Sequence, residues 1–366
     1  MRSRLLHIAV CFLLCLLART PSPALGKVNI FPPPEGGSVP DAEIDSAGVI
    51  HLAYVKGNDL YYVKSADEGK TFSAPLRVNG EPGFVSGGMF RGPDLAVGRG
   101  GRIHSIWYND AYKQARPKDQ WGVTYARLEP GAKSFTGEKN LNHLPSDNFS
   151  LAANRSGDVA VIWTAEGMFV NLSRDDGQTF GPAIQVNPGE VDPCECCATR
   201  RYLDREGKLY CLYRERTENL RDMYLLSGKL TGGGLPEKFQ RRKVSGDTWK
   251  IEGCPMTGSF IEPDGEKGLL LGWETKAQIH FAGESPSGEE LLPGSGVPAV
   301  GRGKYPVVLG SGGKEVLVAW KKGNNLEWKL YNGLADTRPD SGAFNAGNSD
   351  RPAGVRTRTG DFLLFP

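Results

Sequence analysis

Short apolar runs separated by glycine-containing turns recur along most of the chain. One kind of run, rich in β-branched and aromatic residues, appears six times, with its copies anchored at Tyr54, Trp107, Trp163, Tyr213, Trp273 and Trp320. The spacings between successive anchors are 53, 56, 50, 60 and 47 residues. Runs of this length and composition are typical of β-strands. Their regular spacing predicts a repeat protein.

Each copy lies inside the same local pattern of strand, turn and strand. A glycine-containing turn precedes every copy, as in DSAG before Ile50 and GRGG before Ile103, and another candidate strand precedes the turn. A third strand usually follows, as LYYVKS does after the first copy. Tight glycine turns between short strands are typical of β-hairpins. The pattern therefore predicts six consecutive antiparallel sheets.

The first 26 residues differ from the rest and predict a secretory signal peptide. Arg2 and Arg4 precede an apolar run, Leu5–Ala18, that is followed by prolines and small residues. A permanent membrane helix needs ~20 apolar residues, so this run is too short for one. We expect residues 1–26 to be removed and residues 27–366 to form a single domain. Export to the extracellular space or the periplasm follows from that leader.

Composition and charge exclude several classes of protein. The 48 Gly and 25 Pro among 366 residues are explained by repeated turns, and they are too few for collagen or a disordered chain. The formal net charge of +2 becomes −1 once the three leader arginines are removed. No basic patch suggests a nucleic-acid partner, and no later segment reaches transmembrane length. We expect a monomer without a cofactor.

A second repeat carries a more specific signal. The segments SADEGKTF and SRDDGQTF both follow the pattern S-x-D-x-G-x-T-F. Their aspartates can accept backbone N–H bonds inside a hairpin, their glycines allow positive φ, and their phenylalanines can cover the sheet. The segments resemble the Asp-box, or BNR, repeat of sialidases and related secreted β-propellers, in which it is structural. The structural residues are Ser65, Asp67, Gly69, Phe72, Ser173, Asp175, Gly177 and Phe180.

The resemblance and the repeat length together predict the fold. About 340 residues divided among six repeats leave about 56 for each, which suits a four-stranded propeller blade. We expect an all-β, six-bladed β-propeller of four-stranded antiparallel blades with Asp-box hairpins. A terminal strand, either Val28–Phe31 or Phe362–Phe365, would close the ring, and the sequence leaves both possible.

Propeller topology predicts a central mouth on the face opposite the Asp-boxes. The starts of inner strands and the ends of second strands converge there, as expected of a ligand site. Arginines from several blades suit an anionic ligand, because a guanidinium fork matches a carboxylate. The substrate-binding candidates are Arg91, Arg200, Arg214, Arg221 and Asn109. Mutual pairing of these charges around a solvated tunnel is the alternative.

The resemblance to sialidases implies catalytic roles at this mouth. Sialidases use an arginine cluster for the substrate carboxylate, a glutamate-activated tyrosine nucleophile and an aspartate acid/base. The residues that match are Tyr305 as nucleophile, Glu166 or Glu195 as its base, and Asp41 or Asp94 as the acid. These residues would make a retaining, exo-α-sialidase-like glycoside hydrolase. The family's F-R-I-P motif is missing from the segment NIFPPPEGG.

The expected function is therefore to bind or hydrolyse a glycan, or another small anionic extracellular ligand, at the central mouth. A non-catalytic propeller that binds carbohydrate or protein is the alternative. Both hypotheses use the same face of the molecule, and the missing F-R-I-P arginine favours a sialidase-like protein over a sialidase.

Five cysteines remain after the leader, and four are predicted at the same mouth. Cys194, Cys196 and Cys197 precede the fourth inner strand, Cys254 precedes the fifth, and Cys211 lies in a second strand. In an exported protein they predict one or two disulfides between neighbouring blades, with at least one thiol unpaired. The C-x-C-C group and a fourth cysteine also offer soft ligands for Cu(I) or Zn, or a redox site. Both hypotheses remain open.

Overall fold

The structure is a computed structural model that describes residues 26–366 except 89–90, 147, 233, 247, 266–267, 285–298, 334–335 and 348–349. The predicted signal peptide therefore lies outside the described residues, apart from its last position. Within the described ranges, no helix is long and apolar enough to cross a bilayer.

The strands of the described residues form seven sheets, and the inner strands of neighbouring sheets pack against one another around a ring. The first strand along the chain is β1 (Val28–Ile30). Blade I contains β2 (Ser38–Ile44), β3 (Ile50–Lys56), β4 (Asp59–Ser65) and β5 (Leu76–Arg77). Blade II contains β6 (Asp94–Val97), β7 (Ile103–Tyr108), β8 (Val123–Leu128) and β9 (Thr136–Asn140). Blade III contains β10 (Asn148–Ala153), β11 (Val159–Thr164), β12 (Met168–Ser173) and β13 (Ile184–Gln185).

The next blades have the same strand order, from the inner strand outwards. Blade IV contains β14 (Arg200–Leu203), β15 (Lys208–Arg214), β16 (Met223–Lys229) and β17 (Gln240–Lys243). Blade V contains β18 (Ser259–Pro263), β19 (Leu269–Thr275), β20 (Gln278–Glu284) and β21 (Gly301–Arg302). Blade VI contains β22 (Lys304–Gly310), β23 (Val316–Lys322), β24 (Asn325–Tyr331) and β25 (Asp340–Asn345). Blade VII contains β26 (Ala353–Arg356), β27 (Phe362–Phe365) and β1.

The repeated apolar runs are the second strands of blades I to VI. Strands β7 and β11 are buried at every position, because both faces of a middle strand pack against neighbouring blades. All six aromatic anchors are at most 3% exposed. The core therefore lies between blades, and the repeated aromatic side chains fill it.

The predicted propeller is confirmed, but the predicted number of six blades is wrong, because the ring has seven. Strand β27 pairs antiparallel with β26 and parallel with β1, so both candidate closing segments take part in closure. They build an additional, three-stranded blade rather than completing one of six. This blade does not follow the repeated sequence pattern. Its second strand, β27 (FLLF), has no Trp or Tyr anchor, and its third strand, β1, comes from the other end of the described chain.

We call the two segments that resemble Asp-boxes, residues 65–72 and 173–180, the Asp-box turns, and they lie between the third and outer strands of blades I and III. In the first turn, the Gly69 N–H donates to Ser65 Oγ at 2.9 Å, and the Ser65 hydroxyl donates to Asp67 Oδ1 at 2.7 Å. Asp67 Oδ1 also accepts the Thr71 N–H at 2.9 Å. The positive φ of Gly69, 82°, explains the glycine at this position.

The second Asp-box turn repeats this geometry within 0.1 Å. The corresponding distances from Ser173 and Asp175 are 2.9, 2.8 and 2.8 Å. The phenylalanine of each box packs edge-on against an aromatic ring of the preceding blade: Phe72 against Phe365, and Phe180 against Tyr125. The hydrogen bonds shape the turn, and the ring attaches it to its neighbour.

Candidate functional site

Charged side chains from five blades meet along the axis of the ring. We call them the axial charge cluster, and its members are Asp41, Glu43, Asp94, Arg200, Arg201, Glu262 and Arg351. Asp41 and Glu43 lie on β2 of blade I, and the others come from blades II, IV, V and VII. The cluster therefore exists only when the ring is closed.

Asp94, at the start of β6, is the centre of this cluster and is only 1% exposed. Arg201 Nη2 donates to its Oδ1 at 2.7 Å, and Arg200 Nη1 lies 3.6 Å from its Oδ2. The Ser150 hydroxyl and the Leu151 N–H donate to the same Oδ2 at 2.8 and 3.1 Å. One carboxylate thus links blades II, III and IV.

The cluster carries more positive than negative charge near neutral pH. Burial, and next the neighbouring Asp94, raise the pKa of Asp41 well above its ordinary value. Burial also raises the pKa of Glu43 to about 8 and that of Glu262 to about 7. For Asp94 burial acts in the same direction, but the nearby arginines and a hydrogen bond from Asp41 outweigh it and hold its pKa below the ordinary value. Three guanidiniums therefore surround one firmly ionised carboxylate.

Arg351 enters the cluster from blade VII against a glycine. Its Nη2 donates to the Pro93 carbonyl at 2.9 Å, and a Cβ placed on Gly92 would lie 2.8 Å from that nitrogen. Burial, and next Arg200, lower the pKa of Arg351 to about 10. Arg351 Nε and Arg200 Nη1 are buried without a hydrogen-bond acceptor among the described residues. An anion bound here can accept a hydrogen bond from Arg351 Nε, whereas Arg200 Nη1 already forms an ion pair with Asp94 Oδ2 at 3.6 Å.

A cavity of about 480 Å³ adjoins the cluster. Glu43 and Arg201 line it together with Asp45, Arg155 and glycines of the turn that joins β6 to β7. Turns between inner and second strands lie on the same face as the Asp-boxes. The cavity therefore opens on the face opposite the mouth predicted from the sequence.

Of the predicted substrate-binding residues, Arg200 joins the axial cluster, Arg214 ends strand β15, and the others lie in loops of the predicted mouth. Arg91 lies over the Tyr108 ring at 4.9 Å, and Asn109 Nδ2 donates to a loop carbonyl at 2.7 Å. Arg214 donates to the carbonyls of Arg221 and Glu274. Arg221 donates to three carbonyls, including that of Gly253 at 3.1 Å. Their described bonds brace loops.

The candidate catalytic residues fall into three separate places. Tyr305 donates its hydroxyl proton to the Met256 carbonyl at 3.0 Å, and burial raises the pKa of that hydroxyl. The Glu166 N–H donates to Glu195 Oε1 at 3.0 Å, and Glu195 also pairs with Arg216 at 3.4 Å. Asp41 and Asp94 meet in the axial cluster. The two aspartates therefore lie together and the two glutamates lie together, whereas the Tyr305 hydroxyl bonds to a backbone carbonyl.

Four cysteines form a second cluster where the chain enters blades IV and V. The Sγ atoms of Cys194, Cys196, Cys197 and Cys254, which we call the thiol cluster, lie within 4.8 Å of one another. Cys196 and Cys254 form a disulfide that joins the two loops. The fifth cysteine, Cys211, is buried elsewhere, with its Sγ 3.8 Å from a methionine sulfur.

The two unbridged thiols of this cluster differ in environment. Cys194 Sγ lies 3.4 Å from Cys197 Sγ, and this hydrogen bond contributes most to lowering the pKa of Cys197 to about 6. Arg214 and the backbone N–H groups of Met256 and Thr257 act in the same direction. The same hydrogen bond, and next burial, raise the pKa of Cys194.

Sequence reasoning missed four members of the axial cluster: Glu43, Arg201, Glu262 and Arg351. Glu262 carried a signal as the charged residue of an otherwise uncharged inner strand, and Glu43 carried one because it lies two residues after Asp41 and so on the same face of β2. Arg201 is adjacent to the predicted Arg200. Arg351 carried none, because it precedes the inner strand of the unrecognised seventh blade.

No protein-family model matches the chain, and no curated protein matches it. Among solved structures, a protein of unknown function from Dyadobacter fermentans DSM 18053 is 17% identical, with 87% of this chain and 97% of that chain covered and a TM-score of 0.53. An ulvan lyase of polysaccharide lyase family PL25 is 14% identical, with 87% of each chain covered and a TM-score of 0.49. The Hadza microbial sialidase Hz136 is 12% identical, with 90% and 66% covered and a TM-score of 0.43. The first similarity supports the propeller fold.

Proposed function

We propose that this chain is an exported, Asp-box-type propeller whose axial charge cluster binds the carboxylate of an acidic glycan residue. The observation that carries the proposal is the convergence of Arg200, Arg201 and Arg351 on one firmly ionised carboxylate. Buried guanidiniums in excess over carboxylates attract an anion, because charge-assisted bonds to a carboxylate offset their loss of hydration.

The adjoining cavity supports a ligand of monosaccharide or disaccharide size. Its volume of about 480 Å³ falls within the ~300–1,000 Å³ range of small-molecule sites. Arg201 and Glu43 belong to both the cavity and the cluster, so a sugar in the cavity can direct its carboxylate towards the axis. Asp45 and Arg155 at the rim offer partners for sugar hydroxyl groups.

Binding without hydrolysis fits the surroundings of Tyr305 better than the sialidase-like mechanism does. A tyrosine nucleophile needs a neighbouring base to take its proton. Tyr305 donates to the Met256 carbonyl, and burial, and next the nearby Asp350 charge, raise its pKa and keep its hydroxyl protonated. We therefore expect no hydrolysis that depends on Tyr305.

Calorimetric titration with sialylated, uronate-containing and neutral oligosaccharides tests the proposal. The acidic ligands should bind, and the Arg351→Met variant should bind them ~10–100-fold more weakly, as expected for loss of one charge-assisted bond. Arg338→Met, at an exposed position on the outer part of blade VI, is the matched control and should bind like the parent.

Because Arg351 is buried, thermal unfolding must first show that Arg351→Met is folded. Gly92→Ala is a second variant, since its Cβ would displace the Arg351 guanidinium without removing it. Equal binding of neutral and acidic oligosaccharides, or full affinity in both variants, would overturn the proposal. Turnover of a sialoside that Tyr305→Phe abolishes would replace binding with hydrolysis.

A further inference from the structure

The thiol cluster has the dimensions of a metal site. Four thiolates arranged tetrahedrally around zinc, with Zn–S bonds of ~2.3 Å, lie about 3.8 Å from one another. Cys194 Sγ lies 3.4 Å from Cys197 Sγ and 3.6 Å from Cys196 Sγ, and all four sulfurs lie within 4.8 Å of one another. Cys194, Cys196 and Cys197 already have this spacing, and once the Cys196–Cys254 bond is broken its two sulfurs need to move apart from ~2.05 Å to ~3.8 Å.

The loop conformation explains how adjacent cysteines reach one point. Neighbouring residues of a strand point in opposite directions, so Cys196 and Cys197 would diverge in an extended chain. Here the Cys197 N–H donates to the Cys194 carbonyl at 3.1 Å and closes a turn. The Cys194 N–H donates to the Arg214 carbonyl at 2.8 Å, which fixes this turn to blade IV.

The opposite loop, which carries Cys254, is held from blade VI. Lys304 Nζ donates to the Pro255 carbonyl at 2.8 Å, and Tyr305 donates to the carbonyl of Met256. The Arg221 guanidinium donates to the Gly253 carbonyl at 3.1 Å. Both loops are thus positioned by contacts that do not involve the cysteine side chains. A preformed metal site requires such independent support.

We propose that Cys194, Cys196, Cys197 and Cys254 bind one thiophilic d10 ion, Zn²⁺ or Cu⁺, when the Cys196–Cys254 disulfide is reduced. Four thiolates around one ion carry a net negative charge, and the Arg214 and Arg221 side chains near these sulfurs balance it. Soft sulfur ligands and tetrahedral spacing favour these ions over Mg²⁺ or Ca²⁺.

Disulfide and metal are alternative states of the same sulfurs. Reduction of the disulfide consumes two thiol groups of the reductant, which supply two electrons and two protons and become a disulfide themselves, and it yields the Cys196 and Cys254 thiols. Metal binding then releases the thiol protons to solvent. The oxidised chain retains two of the four ligands, so we expect it to bind the ion much more weakly.

The test uses the full chain, reduced with a thiol reagent that is then removed without air, and titrated separately with Co²⁺ as a Zn²⁺ probe and with Cu⁺. One equivalent of Co²⁺ should produce the visible absorption of tetrahedral thiolate coordination, and Zn²⁺ should displace it. Cys197→Ser should weaken binding more than ~100-fold, because loss of an outer partner alone costs 10–100-fold. The arm that binds more tightly under chelator competition identifies the ion.

Cys211→Ser is the matched control, because Cys211 is buried but lies outside the thiol cluster. It should leave the metal affinity and the spectrum unchanged. Cys194→Ser is a second ligand variant, for use if Cys197→Ser fails to fold. A reduced, folded chain that binds neither Co²⁺ nor Cu⁺ more tightly than these ligand variants would refute the site. Full binding by the oxidised chain would refute the four-thiolate arrangement.

Discussion

The Asp-box turns and the axial charge cluster are both polar networks, but they are assembled in different ways. Within each Asp-box turn, the serine, aspartate, glycine and threonine of the motif bond to one another within a few residues of the chain, as between Ser65 and Gly69. In the axial cluster Asp94 bonds to Arg201, and Arg351 bonds to the carbonyl of Pro93, 258 residues away along the chain. The first network can form in an isolated hairpin, whereas the second needs a closed ring.

This contrast predicts how each network responds to substitution. A local network should lose only the bonds of the altered residue. A long-range buried network should lose more, because one missing charge leaves partners from several blades unpaired and dehydrated. Four substitutions in three tests, given from the largest expected effect to the smallest, examine the difference.

Asp94→Asn should destabilise the protein by ~3–5 kcal/mol. It removes the firmly ionised partner of two buried guanidiniums, those of Arg200 and Arg201. Chemical denaturation followed by tryptophan fluorescence measures the loss, with Asp340→Asn on the outer strand of blade VI as control. A loss below about 1 kcal/mol would mean that water replaces Asp94 as the hydrogen-bond partner of these arginines. The axial cluster would then respond no more strongly than the Asp-box turns.

Glu262→Gln should change the pH dependence of stability by about 1–3 kcal/mol. The folded-state pKa of Glu262 is about 7, above its ordinary value of 4.5, so the folded protein binds the extra proton between these values. This contribution is present below pH 4.5 and is lost as pH rises towards 7. The variant should therefore gain stability relative to the parent at pH 8 but not at pH 4.

Unfolding curves of the Glu262→Gln variant and the parent at several pH values provide the check. A difference in stability that is the same at every pH would show that the Glu262 carboxyl titrates normally.

Ser65→Ala and Ser173→Ala should each cost ~1 kcal/mol. Each removes a buried hydroxyl that accepts the glycine N–H of its Asp-box and donates to the aspartate. Because the two turns have the same geometry, the two losses should agree within about 0.5 kcal/mol. Denaturation of both single variants and the double variant measures this, and a clearly non-additive result would show that the turns are not independent.

Local sequence signals predicted the strands, the aromatic anchors and the propeller class. Those features depend on apolar spacing and turn residues, which can be recognised within a short window. The number of blades and the pairing at the axis depend on which distant strands meet. Arg351 could not be predicted from the sequence, because its role depends on the seventh blade. That blade combines strands from the beginning and the end of the described residues.

For the thiol cluster, the sequence predicts the location but not the chemical state. Cys196 and Cys254 are distant in sequence, but both precede inner strands of adjacent blades, and the repeat alone therefore predicts that they are neighbours. Their chemical state does not follow from topology, since disulfide bonding and metal binding place the same sulfurs at the same mouth.

The closure of blade VII has a mechanical consequence. Strands β1 and β27 are parallel, with Val28 opposite Phe362 and Ile30 opposite Leu364. A force that pulls the two ends of the propeller apart would draw β1 backwards and β27 forwards along their common direction. The strand pair would then be loaded in shear, and all hydrogen bonds between the two strands would resist the force together instead of breaking one after another. The ring is thus closed by a strand pair in shear geometry, which best resists tension between the two terminal strands.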